Sequence, residues 1–231
     1  MLRPKKHITR QKLKEDKFIT RTLQVVGWTK RHQRLLIYAL SAVVVVFLVV
    51  TGLLSAGRAA EREASMLVLQ AGFAQDEGRP EAAQAHLEFA LDHYGGSRSA
   101  GRAAFLLAGL YFQVGSIDSA LTTYQLYIRK YAKDPLLTAA ARAGLAACSE
   151  SRGEYEPAAR QWQAAGAAYS NDATTPQYYM QAARCYRLAG RIPDALALYD
   201  RIQNEFPGRA EADRAAIERA ILARTGSEPN G

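Results

Sequence analysis

The chain has 231 residues and a formal net charge of +8, and that charge is placed unevenly. Residues 1–34 hold eleven Lys and Arg against Glu15 and Asp16, while the remainder holds 19 basic and 20 acidic residues. This excludes a nucleic-acid-binding domain with a basic patch on its folded surface, and two cysteines exclude a disulfide scaffold.

Residues 1–14 are polar and basic with little apolar periodicity and are expected to lack stable structure. From Glu15 to Arg34, Phe18, Ile19, Thr22, Leu23 and Val26 fall near one helical face. Such a segment either lies in the interface beside anionic lipid, with Trp28 at headgroup depth, or is a solvated flank that enforces topology.

Residues 35–54 contain no charged side chain. As a helix rising about 1.5 Å per residue, they measure roughly 30 Å, the thickness of a bilayer's hydrocarbon core. Lipid forces backbone polar groups to pair within the segment, so a helix is expected despite Val43 to Val46. The eleven-to-two basic bias before the run places residues 1–34 on the cytoplasmic side as a basic tail. The chain after residue 54 is then expected outside the cytoplasm, which in a bacterial cell is the periplasmic side of the inner membrane. Ser55-Ala56-Gly57 offers small residues to a signal peptidase. The long apolar run and long basic lead favour an uncleaved anchor.

Beyond Gly57 the chain repeats. Gly78, Gly115, Gly153 and Gly190 are spaced 37, 38 and 37 residues apart, each in a short polar turn. Seven residues before each stands an alanine (Ala71, Ala108, Ala146, Ala183), and five after each stands another (Ala83, Ala120, Ala158, Ala195). Four further on come Leu87, Tyr124, Trp162 and Tyr199, and Tyr94, Tyr131, Tyr169 and Phe206 close the units. The pattern predicts helical hairpins: small residues let two backbones approach, large ones fill the space beside them, and glycine ends the first helix. In unit two the core is expected at Ala104, Leu107, Ala108, Tyr111, Ala120, Tyr124 and Tyr127.

These motifs resemble the tetratricopeptide repeat (TPR) family. The resemblance is carried by Leu107-Ala108-x-x-Tyr111, Ala120-x-x-x-Tyr124 and Asp134-Pro135 in unit two. Unit four matches with Ala182-Ala183-x-x-Tyr186, Ala195-x-x-x-Tyr199 and Phe206-Pro207; Ala74 and Ser149 replace the first-helix aromatic in units one and three. The period exceeds the family's usual length by a few residues. The resemblance implies an all-α chain: one transmembrane helix (35–54), then an α-solenoid of about four TPR-like hairpins (58–208). A capping helix is expected over 209–224, with Ala212, Ala216, Ile217, Ala220 and Ile221 as its apolar stripe, before a frayed tail at 225–231.

The layout is similar to membrane-anchored bacterial repeat proteins of the ancillary Sec-translocon subunit type. It is also similar to the repeat domain of cell-division coordinators that work with the Tol-Pal system. The family resemblance implies a non-enzymatic scaffold that binds proteins or peptides on the face lined by first helices. The inner-face pattern falls on Arg102, Phe105, Phe112 and Gln113 of unit two, Glu150 of unit three, and Gln177, Met180, Arg184 and Arg187 of unit four. Arg184 and Arg187 are three apart, hence neighbours on one helix face, and the pattern brings Arg102 to them to receive a partner's carboxylates. The other reading is an assembly role through self-association or the opposite face. No catalytic, metal or cofactor constellation is present: His86 and His93 lack a third ligand nearby, and Cys148 and Cys185 are expected as buried free thiols.

Overall fold

The computed structural model describes residues 32–170 and 172–225. The basic tail and its expected interfacial helix over 15–34 fall almost wholly outside these residues, as does the end of the C-terminal tail. The described elements are helices: α1 (Gln33–Asp76), α2 (Pro80–Tyr94), α3 (Arg98–Gln113), α4 (Ile117–Lys130) and α5 (Pro135–Ser151). They continue with α6 (Tyr155–Ala168), α7 (Thr175–Leu188), α8 (Ile192–Glu205) and α9 (Ala210–Thr225). The chain divides into two units, residues 1–57 and 58–231.

The first unit is described by the start of α1. Its mean hydropathy reaches 2.7 over eighteen residues, and the helix is long and apolar enough to cross a membrane. Leu35, Phe47 and Leu53 are 65%, 65% and 70% exposed, so no core among the described residues accounts for their apolarity. The hydroxyls in this stretch bond back to their own helix: Ser41 donates to the Tyr38 carbonyl at 2.9 Å and Thr51 to that of Phe47 at 2.8 Å. Such internal bonds remove the demand for water that a hydroxyl otherwise makes.

The second unit is a succession of hairpins in sequence order: the end of α1 with α2, then α3–α4, α5–α6 and α7–α8, with α9 last. Each helix packs on the next from α2 onward, and the first helices of neighbouring hairpins also touch, α3 with α5 and α7 with α9. The contacts of each second helix with the next first helix, α2 with α3, α4 with α5 and α6 with α7, stack the hairpins into a solenoid.

Local chemistry sets the turns. Gly115 has φ +79°, a region an L side chain enters at a cost of about 1–2 kcal/mol. This geometry lets Ser116 N–H reach the Tyr111 carbonyl at 2.8 Å and Gly115 N–H that of Phe112 at 3.1 Å. The same pair of closing bonds recurs at Gly78, Gly153 and Gly190, so α1, α3, α5 and α7 end alike. Helix starts are marked by Asp134, whose Oδ1 accepts from the Leu136 and Leu137 amides at 2.9 and 3.3 Å, and by Ser97, which accepts from Ala100.

The repeated alanines lie where two helices cross: Ala83, Ala120, Ala158 and Ala195 are all 0% exposed. Closer still is Gly144, where an added methyl carbon would lie 2.3 Å from Tyr124 Cζ. Tyr124 of α4 thus lies directly on the α5 backbone.

Several expectations are corrected. Tyr111 packs against the core but is only half-buried, and its hydroxyl donates to Glu88 Oε1 at 2.6 Å. Tyr169 closes unit three as the residue that ends α6, yet its ring is not core. It is 38% exposed, and the buried Thr175 donates to its carbonyl at 2.6 Å. In α9 the buried residues are Ala212, Ala215 and Leu222, while Ile217 and Ile221 are 61% and 54% exposed. Apolar residues occur on both sides of this helix, so its pattern alone does not choose a face. Ala212, Ala215 and Leu222 pack into the core of α7 and α8, and the Arg219–Asp200 ion pair to α8 and the Gln177–Glu211 hydrogen bond to α7 accompany that packing.

Candidate protein-binding site

On α7, Gln177, Met180, Gln181, Arg184 and Arg187 follow at steps of three, one, three and three, and so share one helix face. The opposing wall is α9, with Glu211, Arg214 and Glu218 three and four apart, and Tyr199 of α8 forms the floor. Together they enclose a cavity of about 290 Å³. Four of the sequence-predicted residues, Gln177, Met180, Arg184 and Arg187, therefore meet at one place.

The fold already uses part of this charge. Gln177 Nε2 donates to Glu211 Oε1 at 3.2 Å, across the cavity mouth. Arg184 Nε donates to Gln181 Oε1 at 2.9 Å, and its terminal nitrogen pairs with the Glu150 carboxylate of the preceding unit. Glu150 also accepts from the Trp162 indole at 2.5 Å and the Cys185 thiol at 3.1 Å. Burial pushes the Glu150 pKa up, but donation from Trp162, Cys185 and Arg184, with the Arg184 charge, outweighs it and holds the carboxyl below its ordinary value. Burial and the Glu150 carboxylate together push the Cys185 thiol up to about 12. Cys148 is likewise a buried free thiol, pushed up by burial to about 11.

Arg187 differs from Arg184. It is exposed and belongs to no ion pair among the described residues, and its side-chain contact is to the Tyr199 hydroxyl. Burial raises the Tyr199 pKa, and the Glu218 charge adds to this while Arg187 opposes it. Met180 is half-buried against the core of units three and four.

The unit-two residues lie elsewhere. Phe105 packs edge-on against Tyr124 and Tyr127, with ring centroids 6.1 and 6.0 Å away, inside the core of α3–α5. Phe112 packs against the same core, and Gln113 accepts from Gln75 at 3.4 Å. Arg102 lines a separate crevice beside α4 and does not join Arg184 and Arg187. Sequence reasoning missed the α9 wall, although Glu211, Arg214 and Glu218 were legible as one helical face. It also missed the cluster joining Glu150 to Trp162, Arg184 and Cys185, partners 12, 34 and 35 residues away.

Residues 74–140 match the family model for the tetratricopeptide repeat. Among solved structures, a repeat protein of Podosopora anserina with nearly identical TPR-like repeats superposes with TM-score 0.54 at 19% identity, covering 72% of this chain and 88% of that one. MamA from Desulfovibrio magneticus RS-1 superposes with TM-score 0.52 at 14% identity, covering 72% and 98%. The Yersinia enterocolitica type III secretion translocator chaperone SycD gives 0.46 at 18% identity, covering 57% and 89%. No curated protein matches the sequence. The family match and the fold define the class: an all-α, TPR-like helical solenoid preceded by a long apolar helix. Repeats of this class bind proteins or peptides.

Proposed function

We propose that this chain is a non-enzymatic, protein-binding scaffold held to a membrane by the apolar run of α1. The observation that carries the binding site is the convergence of Gln177, Met180, Arg184 and Arg187 on one cavity against α9. Arg187 and Met180 are the groups this site offers to a partner, as a cation beside an apolar side chain. The basic lead sets the orientation, with residues 1–34 cytoplasmic and the solenoid on the periplasmic side of an inner membrane. A scaffold at that location suits the passing of secreted chains to chaperones.

A photo-reactive side chain at position 187 of the full chain, in intact cells, tests the site. Adducts are expected there and not at the exposed Gln125 on α4. Protease added to spheroplasts should digest the solenoid and spare residues 1–34. Adducts at 125 alone, or a protected solenoid, would overturn the reading.

One observation favours a second reading, assembly through the terminal helix: Ile217 of α9 is 61% exposed. Adducts concentrated at position 217 would select it.

A further inference from the structure

The crevice that holds Arg102 lies at the other end of the solenoid, with a volume of about 690 Å³. It opens between the α2–α3 loop, the start of α3, the end of α4 and the α4–α5 loop, which contribute Arg98, Arg102, Lys130 and Lys133. Its carboxylates are Glu61 and Asp134, and the fold occupies both. Glu61 accepts from the Arg98 amide at 2.6 Å, the Ser99 amide at 3.3 Å and the Ser99 hydroxyl at 2.7 Å. Asp134 caps α5 through the Leu136 and Leu137 amides.

The cations are left over. Among the described residues Arg102, Lys130 and Lys133 join no ion pair. The walls are fixed, because the Tyr131 hydroxyl donates to the Gly95 carbonyl at 2.8 Å and the Lys130 ammonium lies 5.2 Å from the Tyr131 ring centroid. Gly96 presents no side chain, and a methyl built there meets nothing within 4 Å, so an approaching chain is not obstructed. Leu137 and Tyr127 supply apolar ground.

We propose that this crevice is a second docking site, independent of the α7 cavity, and that it takes an acidic segment of a protein partner. Charge complementarity names the ligand: unpaired cations held near one another repel, and carboxylates relieve that repulsion. Glu61, seated on the Arg98 and Ser99 amides and the Ser99 hydroxyl, is not paired with Arg102, Lys130 or Lys133 and leaves them to a partner. Leu137 and Tyr127 beside the cations favour an acidic segment that also carries apolar side chains, and the crevice volume falls within the range of about 300–1,000 Å³ typical of ligand sites.

The test uses the full chain in zwitterionic lipid nanodiscs and a blocked octapeptide of glutamate and leucine. Zero-length carbodiimide coupling joins peptide carboxylates to lysine amines, and mass spectrometry maps the products. Amide crosslinks are expected at Lys130 or Lys133, falling about tenfold in Arg102→Glu and on raising salt to about 0.5 M. Crosslinks to the basic N-terminal residues should not respond to Arg102→Glu, which separates this site from adventitious pairing with the tail. Arg102→Gln, checked by circular dichroism, should reproduce the loss in part if charge reversal disturbs folding. Crosslinks confined to residues 1–34, or a yield at Lys130 and Lys133 indifferent to Arg102, would overturn the proposal. So would their abolition by phosphatidylglycerol in the discs, which would assign the crevice to lipid headgroups. Either result leaves the α7 reading standing.

Discussion

The two recesses of the solenoid hold similar side chains and differ in who uses the charge. At α7, Arg184 is paired with Glu150, and Gln177 is bonded to Glu211. At the α3–α4 crevice the carboxylates turn to backbone amides, and Arg102, Lys130 and Lys133 keep their charge. Counting arginines on a helix face therefore does not locate a binding site. Whether a neighbouring carboxylate has already neutralised the cation decides it, because a paired charge belongs to stability and an unpaired one is available to a partner.

The largest expected effect lies at Glu150. Its loss in Glu150→Ala leaves the half-buried Trp162 indole without its acceptor and Arg184 without its ion pair, at about 1.5–3 kcal/mol by denaturant unfolding. Arg102→Gln at the other recess should cost less than about 0.5 kcal/mol, and equal losses would erase the distinction between the recesses. The acid limb carries the same information. The folded pKa of Glu150 is depressed, so its contribution is present at neutral pH and disappears as pH falls through that depressed value. Glu150→Gln should flatten this limb of the stability profile, measured by thermal melts across acidic pH.

Next in size is the packing that carries both recesses. Ala120→Leu should overpack the α3–α4 contact and cost about 1–3 kcal/mol, whereas Gln125→Leu on the exposed side of α4 should change stability by less than about 0.5 kcal/mol. Similar melting temperatures for the two would contradict the register. The smallest effect is at Tyr179, which is 0% exposed and whose hydroxyl finds no hydrogen-bond partner among the described residues. Tyr179→Phe removes an unsatisfied polar atom while keeping the ring, so the melting temperature should stay level or rise slightly. A fall of several degrees would show that the hydroxyl has a partner.

The hairpins were legible because their constraints are local and repeat. A positive φ demands glycine at 115, and a close helix crossing demands alanine at 120, whatever surrounds them. The rotation of α9 was not legible, since apolar residues flank it on both sides, and the side that turns inward, with Ala212, Ala215 and Leu222, follows from its packing on α7 and α8. Tyr111 was placed too deep: its ring fits the core pattern, but it is only half-buried, and its hydroxyl donates to Glu88, 23 residues away. Of the candidate site, spacing alone brings Met180, Arg184 and Arg187 to one face. The partition of Arg184 to Glu150 depends on how two units stack, which no single-helix pattern contains.

That partition is tested most directly by comparing Arg184→Glu with Arg187→Glu in the full chain, measuring melting temperature and recovery of the partner crosslinked at position 187's helix face. Arg184→Glu opposes two carboxylates at Glu150 and should lower the melting temperature by about 4–8 °C, equivalent to roughly 2 kcal/mol. Arg187→Glu should leave it within about 1 °C, as expected for an unpaired surface charge, and reduce partner recovery about tenfold. Undiminished recovery with Arg187→Glu, or a melting temperature indifferent to Arg184→Glu, would contradict the account.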